Sequence, residues 1–358
     1  MTTPPHLFGL LPDDLVRVLG RAGVSIREGE ARRVIAHVIQ HGRPGFPTER
    51  PIPRAVEQAI ERLCERAPLE VLDRAADPAD GFVKLLLRSP DGALSEAVRI
   101  PLQKPGHYSV CLSSQVGCAL GCAFCATGRL GFARNLEASE MVGAFLAVRA
   151  DLRAEQGDAG RISGAVFMGQ GEPLLNYDAV LQAARVLAHP CGGQVKGESI
   201  SLSTAGIVPA IRRFTAEDHD FRLIVSLTST VPERRAALMP VASHWSIDEV
   251  AAAVRDYAAT SKQRATVAFV VLGGVNTGDD EVEGLRRLFE GVPLRLNLID
   301  VNDPRPEGFR RATEAELIDF RTRLKALGVP VVRRYSGGVN AEAACGMLAS
   351  RVSGASPR

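Results

Sequence analysis

The feature that most restricts how this chain can fold is a long alternation of short strand-like runs with amphipathic helical runs. The strand-like runs are 164–168, 199–203, 223–227, 266–271, 294–299 and 331–334, and the helical runs are 137–153, 177–188, 208–215, 247–259, 280–289 and 314–326. Repeated βα units of this length require a parallel sheet covered by helices. Six or so units predict an α/β fold of the partial (β/α)6 type, short of a closed eight-fold barrel. In such a fold, ligands meet the loops at the carboxyl ends of the strands, where chemistry does not disturb the core.

The first 85 residues read differently. Leu11, Leu15, Val18 and Leu19, then Val34, Ile35, Val38 and Ile39, recur at helical spacing, and 51–63 reads as a helix opened by prolines. The expected division is a helical accessory domain over 1–85, a core domain over 86–335 and a C-terminal loop and tail over 336–358, with 353–358 frayed. Strands are expected at 82–87, 97–101 and 108–112. No apolar run reaches the ~18 residues that cross a bilayer. The opening residues meet Asp13 and Asp14 where a secretory segment would be apolar, so a cytoplasmic protein is expected. Forty-three basic against 41 acidic residues neither demand nor exclude a nucleic-acid partner.

Cysteine is more informative. Of seven, at 64, 111, 118, 122, 125, 191 and 345, three form the run Cys118-Ala-Leu-Gly-Cys122-Ala-Phe-Cys125. Without a secretory context, such a cluster reads as metal binding or redox chemistry before structural disulfides. Three thiolates at C-x₃-C-x₂-C spacing can hold a [4Fe–4S] cluster with one iron left open, or a zinc ion completed by His107 or Cys111.

The wider sequence narrows this. The stretch from Cys111 to Gly128, with Phe124 before the last cysteine, followed by Gly131-Phe-Ala-Arg-Asn-Leu136, resembles the RlmN/Cfr family of radical S-adenosylmethionine (SAM) RNA methyltransferases. The resemblance continues in order through Gly171-Glu172-Pro173-Leu174-Leu175-Asn176, Leu202-Ser203-Thr204-Ala205-Gly206, Gly274-Val275-Asn276 and Ala343-Ala344-Cys345-Gly346. It implies methylation of an adenine ring carbon, most simply C2, in 23S rRNA and also in tRNA.

The resemblance also implies roles. Cys118, Cys122 and Cys125 would ligate the [4Fe–4S] cluster. Cys345 would carry the methyl group as S-methylcysteine, and Cys111 would release the product through a transient disulfide with Cys345. Gly171, Glu172, Ser203, Ser226, Leu227, Thr228 and Asn302 would form the SAM pocket. A glycine lets backbone approach, and a carboxylate can accept hydrogen bonds from the methionine ammonium. Glu96 matches an acidic proton acceptor, although a glutamate near a strand start is more often simply exposed. Cys64 and Cys191 match nothing.

The implied partners are RNA and an external electron donor of flavodoxin type, with no membrane, for a monomeric enzyme. Arg17, Arg21, Arg27, Arg32 and Arg33 make the helical segment mildly basic, which suits an RNA grip or a solvated face of paired charges. Three departures from the family bear on substrate: Gln170 replaces a usual Met, Thr228 a usual His, and Tyr335-Ser336-Gly337-Gly338 a more basic run. The alternatives are a paralogue acting at adenine C8 or on another RNA, a radical SAM enzyme with a non-RNA substrate, and a zinc-stabilised RNA-binding module.

Overall fold

The computed structural model describes residues 4–349 apart from Pro44, Pro304 and Pro306. The tail expected to fray, 353–358, lies outside the described residues. The chain opens with α1 (Pro12–Arg21), α2 (Glu28–Ile35) and α3 (Arg54–Leu63). Asp14 in the first turn of α1 accepts a hydrogen bond from the Leu11 backbone N–H at 2.8 Å and so caps the helix.

Four antiparallel strands follow: β1 (Glu70–Ala76), β2 (Val83–Arg88), β3 (Leu94–Pro101) and β4 (His107–Leu112). A hairpin of β5 (Gln115–Gly117) and β6 (Phe132–Asn135) encloses the short α4 (Ala126–Arg129), and α5 (Ala138–Gln156) returns the chain to the sheet. The alternation then runs β7 (Arg161–Phe167), α6 (Tyr177–Ala188), β8 (Ile200–Thr204), α7 (Val208–Ala216), β9 (Arg222–Ser226), α8 (Pro232–Leu238), α9 (Ile247–Thr260), β10 (Ala265–Val271), α10 (Asp279–Phe289), β11 (Leu294–Asp300), α11 (Glu314–Leu324) and β12 (Val331–Arg334).

The main sheet has ten strands in the order β1-β2-β3-β4-β7-β8-β9-β10-β11-β12. From β4 onward every neighbouring pair is parallel. The expected partial (β/α)6 barrel is therefore present, as six helical crossovers joining seven parallel strands, and β1 to β3 extend it as an antiparallel wing. Strands β8 and β10 are buried almost continuously, as strands covered on both faces must be.

One element lies where a helix was expected. Strand β1 falls inside the 1–85 segment, and its residues Glu70-Val-Leu-Asp-Arg-Ala-Ala76 lack the apolar alternation that marks a strand. It is an exposed edge strand, paired only with β2 and held to α5 by Arg74, which bridges Asp151 and Glu155. The apolar faces of α1, α2 and α3 join one continuous core with Phe145 and Val148 of α5.

Candidate active site

The cysteine loop is built on the β5–β6 hairpin. The Cys118 N–H donates to the Gly131 carbonyl at 2.7 Å, the Cys125 N–H donates to the Cys122 carbonyl at 3.1 Å, and Cys125 is the residue before the first turn of α4. Ala123, within the loop, donates to the Leu238 carbonyl at the end of α8 at 2.9 Å. All three thiols are half-buried. Burial pushes the Cys118 thiol up to about 11, and Cys125 beside it adds to the rise. Burial raises Cys122 further, with Cys125 and Cys118 as next contributors.

Among the described residues no three Cys, His, Asp or Glu side chains are already drawn together at metal-ligand distance. What the loop supplies is a donor set of three thiols at C-x₃-C-x₂-C spacing, which a strongly thiophilic group would bind as thiolates. His107 is not part of that set. It begins β4, about 16 Å along the strand from its end, and bonds Ser163 Oγ at 2.5 Å. Cys111 lies within β4, packed among Phe82, Val98 and Val166. With neither available as a fourth ligand, the loop fits a [4Fe–4S] cluster with an open iron better than a closed zinc site.

Beside it stands the expected SAM wall, at the ends of β7, β8 and β9. Glu172 is buried, and its two carboxylate oxygens accept from the Leu174 N–H at 3.0 Å and the Ala205 N–H at 2.8 Å. Burial nevertheless pushes this carboxyl up to about 7. Gly171 has φ +97°, and a Cβ there would fall 2.5 Å from Gln115 Cβ, so only glycine fits. Gln115 in turn accepts from the Glu172 N–H at 2.9 Å, and Asn176 donates to the Ser114 and Leu136 carbonyls at 2.8 and 2.7 Å. The Gly-Glu-Pro turn and the cysteine hairpin are thereby one unit.

Ser203, Ser226, Leu227 and Thr228 follow on the next two strand ends. Thr228 is fully buried at φ +61°, a strained conformation for a β-branched residue, and its hydroxyl has no partner among the described residues. An unsatisfied buried hydroxyl in this wall fits a polar ligand group. Two residues not foreseen as structural supports hold the loop. Asn276 donates to the Thr228 carbonyl at 2.6 Å, and the fully buried Glu281 accepts from the Thr230 N–H at 2.6 Å and from Ser229 and Arg234.

Cys111 and Cys345 form a second focus. Cys111, near the end of β4, packs with Phe82, Val98 and Val166, and Cys345 packs with Ile224, Ala268 and Ile299; Met168 touches both groups. Both thiols are free. Burial pushes Cys111 up to about 12, and the neighbouring Cys345 adds to the rise while Arg334 opposes it.

The loop carrying Cys345 is tied at several points. Asn302 donates to the Cys345 carbonyl at 3.2 Å and to Ser336 Oγ at 2.7 Å, and the Ala126 N–H donates to the Gly346 carbonyl at 2.7 Å. Asn302 thus contacts the loop that holds Cys345 directly. At Tyr335–Gly338 the chain is stitched to the β1–β2 turn: the Tyr335 hydroxyl and the Gly338 N–H donate to Asp80 at 2.9 and 2.8 Å.

Glu96, matched by resemblance to a proton acceptor, is not the exposed strand residue that a glutamate there more often is. It is buried inside β3, with Lys84 Nζ at 3.0 Å from one carboxylate oxygen and Gln170 Nε2 at 3.2 Å from the other. Lys84, also buried, lies 3.8 Å from Glu342, three residues before Cys345. The cause is register: Lys84 opposes Val98 and Glu96 opposes Leu86, so the two charges are diagonal neighbours on one face. Cys64 and Cys191 are remote from both foci; burial pushes Cys64 up to about 11.

A cysteine hairpin after the first parallel strand of a partial barrel, locked to a Gly-Glu turn after the second, defines a radical SAM enzyme, and the radical SAM superfamily matches residues 112–289. The chain belongs within it to the RlmN/Cfr family of radical SAM RNA methyltransferases. It is 49% identical to a protein of Anaeromyxobacter sp. (strain Fw109-5) described as "Probable RNA methyltransferase", covering 96% of this chain and 99% of that one. It is 36% identical to the dual-specificity RNA methyltransferase RlmN of Anaeromyxobacter dehalogenans, covering 99% and 94%. A crystal structure of a radical SAM methyltransferase from Sphaerobacter thermophilus superposes with a TM-score of 0.87 at 32% identity, covering 97% and 100%.

Proposed function

We propose that this enzyme methylates C2 of an adenine in 23S rRNA, and of tRNA adenine as a second substrate, through a methyl group carried on Cys345. Cys118, Cys122 and Cys125 hold the [4Fe–4S] cluster, and the wall from Gly171-Glu172 through Ser203 and Ser226-Leu227-Thr228 to Asn302 holds SAM. When bound, these groups supply the methyl group and the 5′-deoxyadenosyl radical that activates it. Cys345 Sγ would receive the methyl group, give up one of that group's hydrogen atoms to that radical and become joined through the remaining CH2 carbon to the adenine ring, the surplus electron returning to the cluster. Glu96 accepts the ring proton, with Lys84 and Gln170 orienting its carboxylate. The Cys111 thiolate would then attack Cys345 Sγ, forming the disulfide and breaking the bond from that sulfur to the bridging carbon, which leaves on adenine with the electron pair and takes up a proton to become the methyl group.

The observation that carries this reading is the meeting of Cys111 and Cys345 at Met168, since a cluster alone has no use for a second pair of thiols. Within it, 1–85 contacts RNA, 86–335 is the catalytic core and 336–358 is the carrier segment of a monomeric, cytoplasmic enzyme served by a flavodoxin-type donor. Among the described residues no helix is long and apolar enough to cross a membrane. Arg17, Arg27 and Arg32 pair with Asp14, Glu30 and Glu28, so the helical surface offers RNA less free charge than its arginine count suggests.

A second reading, a paralogue acting at C8 or on another RNA, is favoured by one observation. Gln170 and Thr228, both substitutions of family residues, are fully buried at the reacting end and so change its walls, not its rim. Mass spectrometry of nucleosides from rRNA and tRNA incubated with reconstituted enzyme, SAM and reductant tests both. 2-Methyladenosine supports the first reading and 8-methyladenosine the second; no methylated adenosine in either RNA contradicts the first and leaves of the second only the action on another RNA.

A further inference from the structure

Arg235 of α8 is 1% exposed, yet no described carboxylate pairs with it. Its guanidinium donates to neutral acceptors only: the Ala205 carbonyl at 2.8 Å, the Leu227 carbonyl, the Ser226 carbonyl at 3.4 Å and Met239 Sδ at 3.5 Å. Its Nε is buried without a partner. The cysteine loop rests on the end of its helix, where the Ala123 N–H donates to the Leu238 carbonyl at 2.9 Å, and among the described residues Cys122 is the ionisable neighbour whose thiolate would favour its charge. Gly206, at φ +111°, leaves room for it, since a Cβ there would stand 3.2 Å from Arg235 Nη2.

Carbonyl contacts can position a guanidinium but cannot neutralise it, and a lone buried cation is among the costliest groups a fold can carry. Arginine stays charged even when burial pulls it down to about 10, so it cannot escape by losing its proton. Something anionic belongs beside it. A [4Fe–4S]²⁺ core with three thiolate ligands has a net charge of −1, and one-electron reduction makes it −2.

We propose that Arg235 is a positioning residue that acts as buried counter-ion to the cysteine-ligated cluster, bracing the ends of β8 and β9 through their carbonyls while its charge favours the reduced state. This rests on the reading of Cys118, Cys122 and Cys125 as cluster ligands. A cation in a low-dielectric site stabilises the more negative of two redox states, so it makes the cluster easier to reduce by a weak external donor. A brace alone would leave the potential unchanged.

The test is a potentiometric titration followed by electron paramagnetic resonance, on anaerobically reconstituted full-length protein with iron content measured alongside. Arg235→Gln removes the charge but keeps donors; Arg235→Lys keeps the charge. Met239→Glu places a carboxylate against the guanidinium and cancels its charge with the brace intact, and Met239→Gln controls for the lost thioether. The expected result is a more negative midpoint for Arg235→Gln and Met239→Glu, with Arg235→Lys and Met239→Gln close to wild type. A wild-type midpoint in Arg235→Gln, or equal midpoints in Met239→Glu and Met239→Gln, overturns the inference. If Arg235→Gln does not fold, the Met239 pair decides. Wild-type protein that binds no iron would instead overturn the cluster reading itself.

Discussion

The loop that holds Cys118, Cys122 and Cys125 and the loop that holds Cys345 face the same space but are anchored in different ways. The first is a closed hairpin whose backbone bonds to its own partner strand, to α8 and, through Asn176 and Gln115, to the Gly-Glu-Pro turn. The second has no strand pairing among the described residues, and its contacts run from Asn302, Ala126, Asp80 and Thr127 to scattered backbone groups. Each such bond contributes roughly 1 kcal/mol net, so a few can be broken and remade during a turnover. Cys111, on the strand side, is as fixed as the cluster loop. The contrast fits a reaction in which one thiol must visit several partners while the cluster and the other thiol stay in place.

The largest effect should come from the fixed side. Cys118→Ala should lose the cluster and with it all methylation, read by iron analysis and nucleoside mass spectrometry; full iron content in the variant would mean the hairpin is not the cradle. On the Cys345 side, Asn302→Ala should slow methylation of Cys345 about tenfold, the equivalent of ~1.4 kcal/mol, with a smaller loss of SAM affinity. Peptide mass spectrometry and equilibrium dialysis separate the two. A loss confined to SAM binding would return Asn302 to the SAM wall and remove it as a tether of the carrier loop.

Glu172 offers a smaller test through pH. Its folded carboxyl is raised to about 7 from an ordinary value near 4.5. The raised group contributes stability that is fully present below pH 4.5 and is lost as pH rises through 7, a differential of roughly 3 kcal/mol at most. The cofactor-free protein should therefore melt several degrees lower at pH 8 than at pH 5.5, and Glu172→Gln should flatten that difference. An equal slope in the variant would show that the carboxyl titrates alike in both states. The smallest effect is expected of Gln170→Met, which removes the donor to Glu96 at a cost of about 1 kcal/mol. An unchanged melting temperature would show that this contact contributes nothing.

Both anchoring schemes were partly legible in the sequence. The βα alternation placed the loops at the strand ends, and helix 177–188 and strand 331–334 carry the expected bounds because their apolar spacing is regular and their ends are punctuated. The cysteine spacing, Gly-Glu turn and Ala-Ala-Cys-Gly loop stood out for the same reason: local chemistry written in adjacent residues.

The rest depends on register and distance along the chain. Lys84 and Glu96 meet only because β2 and β3 pair as they do, and neither residue signals burial on its own. Strand β1 is an edge strand with polar composition, and short α8, which carries the buried Arg235, is too brief for a helical period to show. Glu281 supports a loop 51 residues away, a relation that no local pattern encodes.

The central claim is that Cys345 carries the group and Cys111 releases it. The most direct measurement is a denaturing gel, with nuclease controls, of Cys111→Ala and Cys111→Ala/Cys345→Ala purified from cells making RNA. The single variant should hold a normal cluster and run as a covalent protein–RNA species, because the bond to Cys345 forms but has no thiol to resolve it. The double variant should carry no RNA. Cys111→Ala free of RNA and fully active would reduce Cys111 to a core residue of β4 and contradict the two-thiol account.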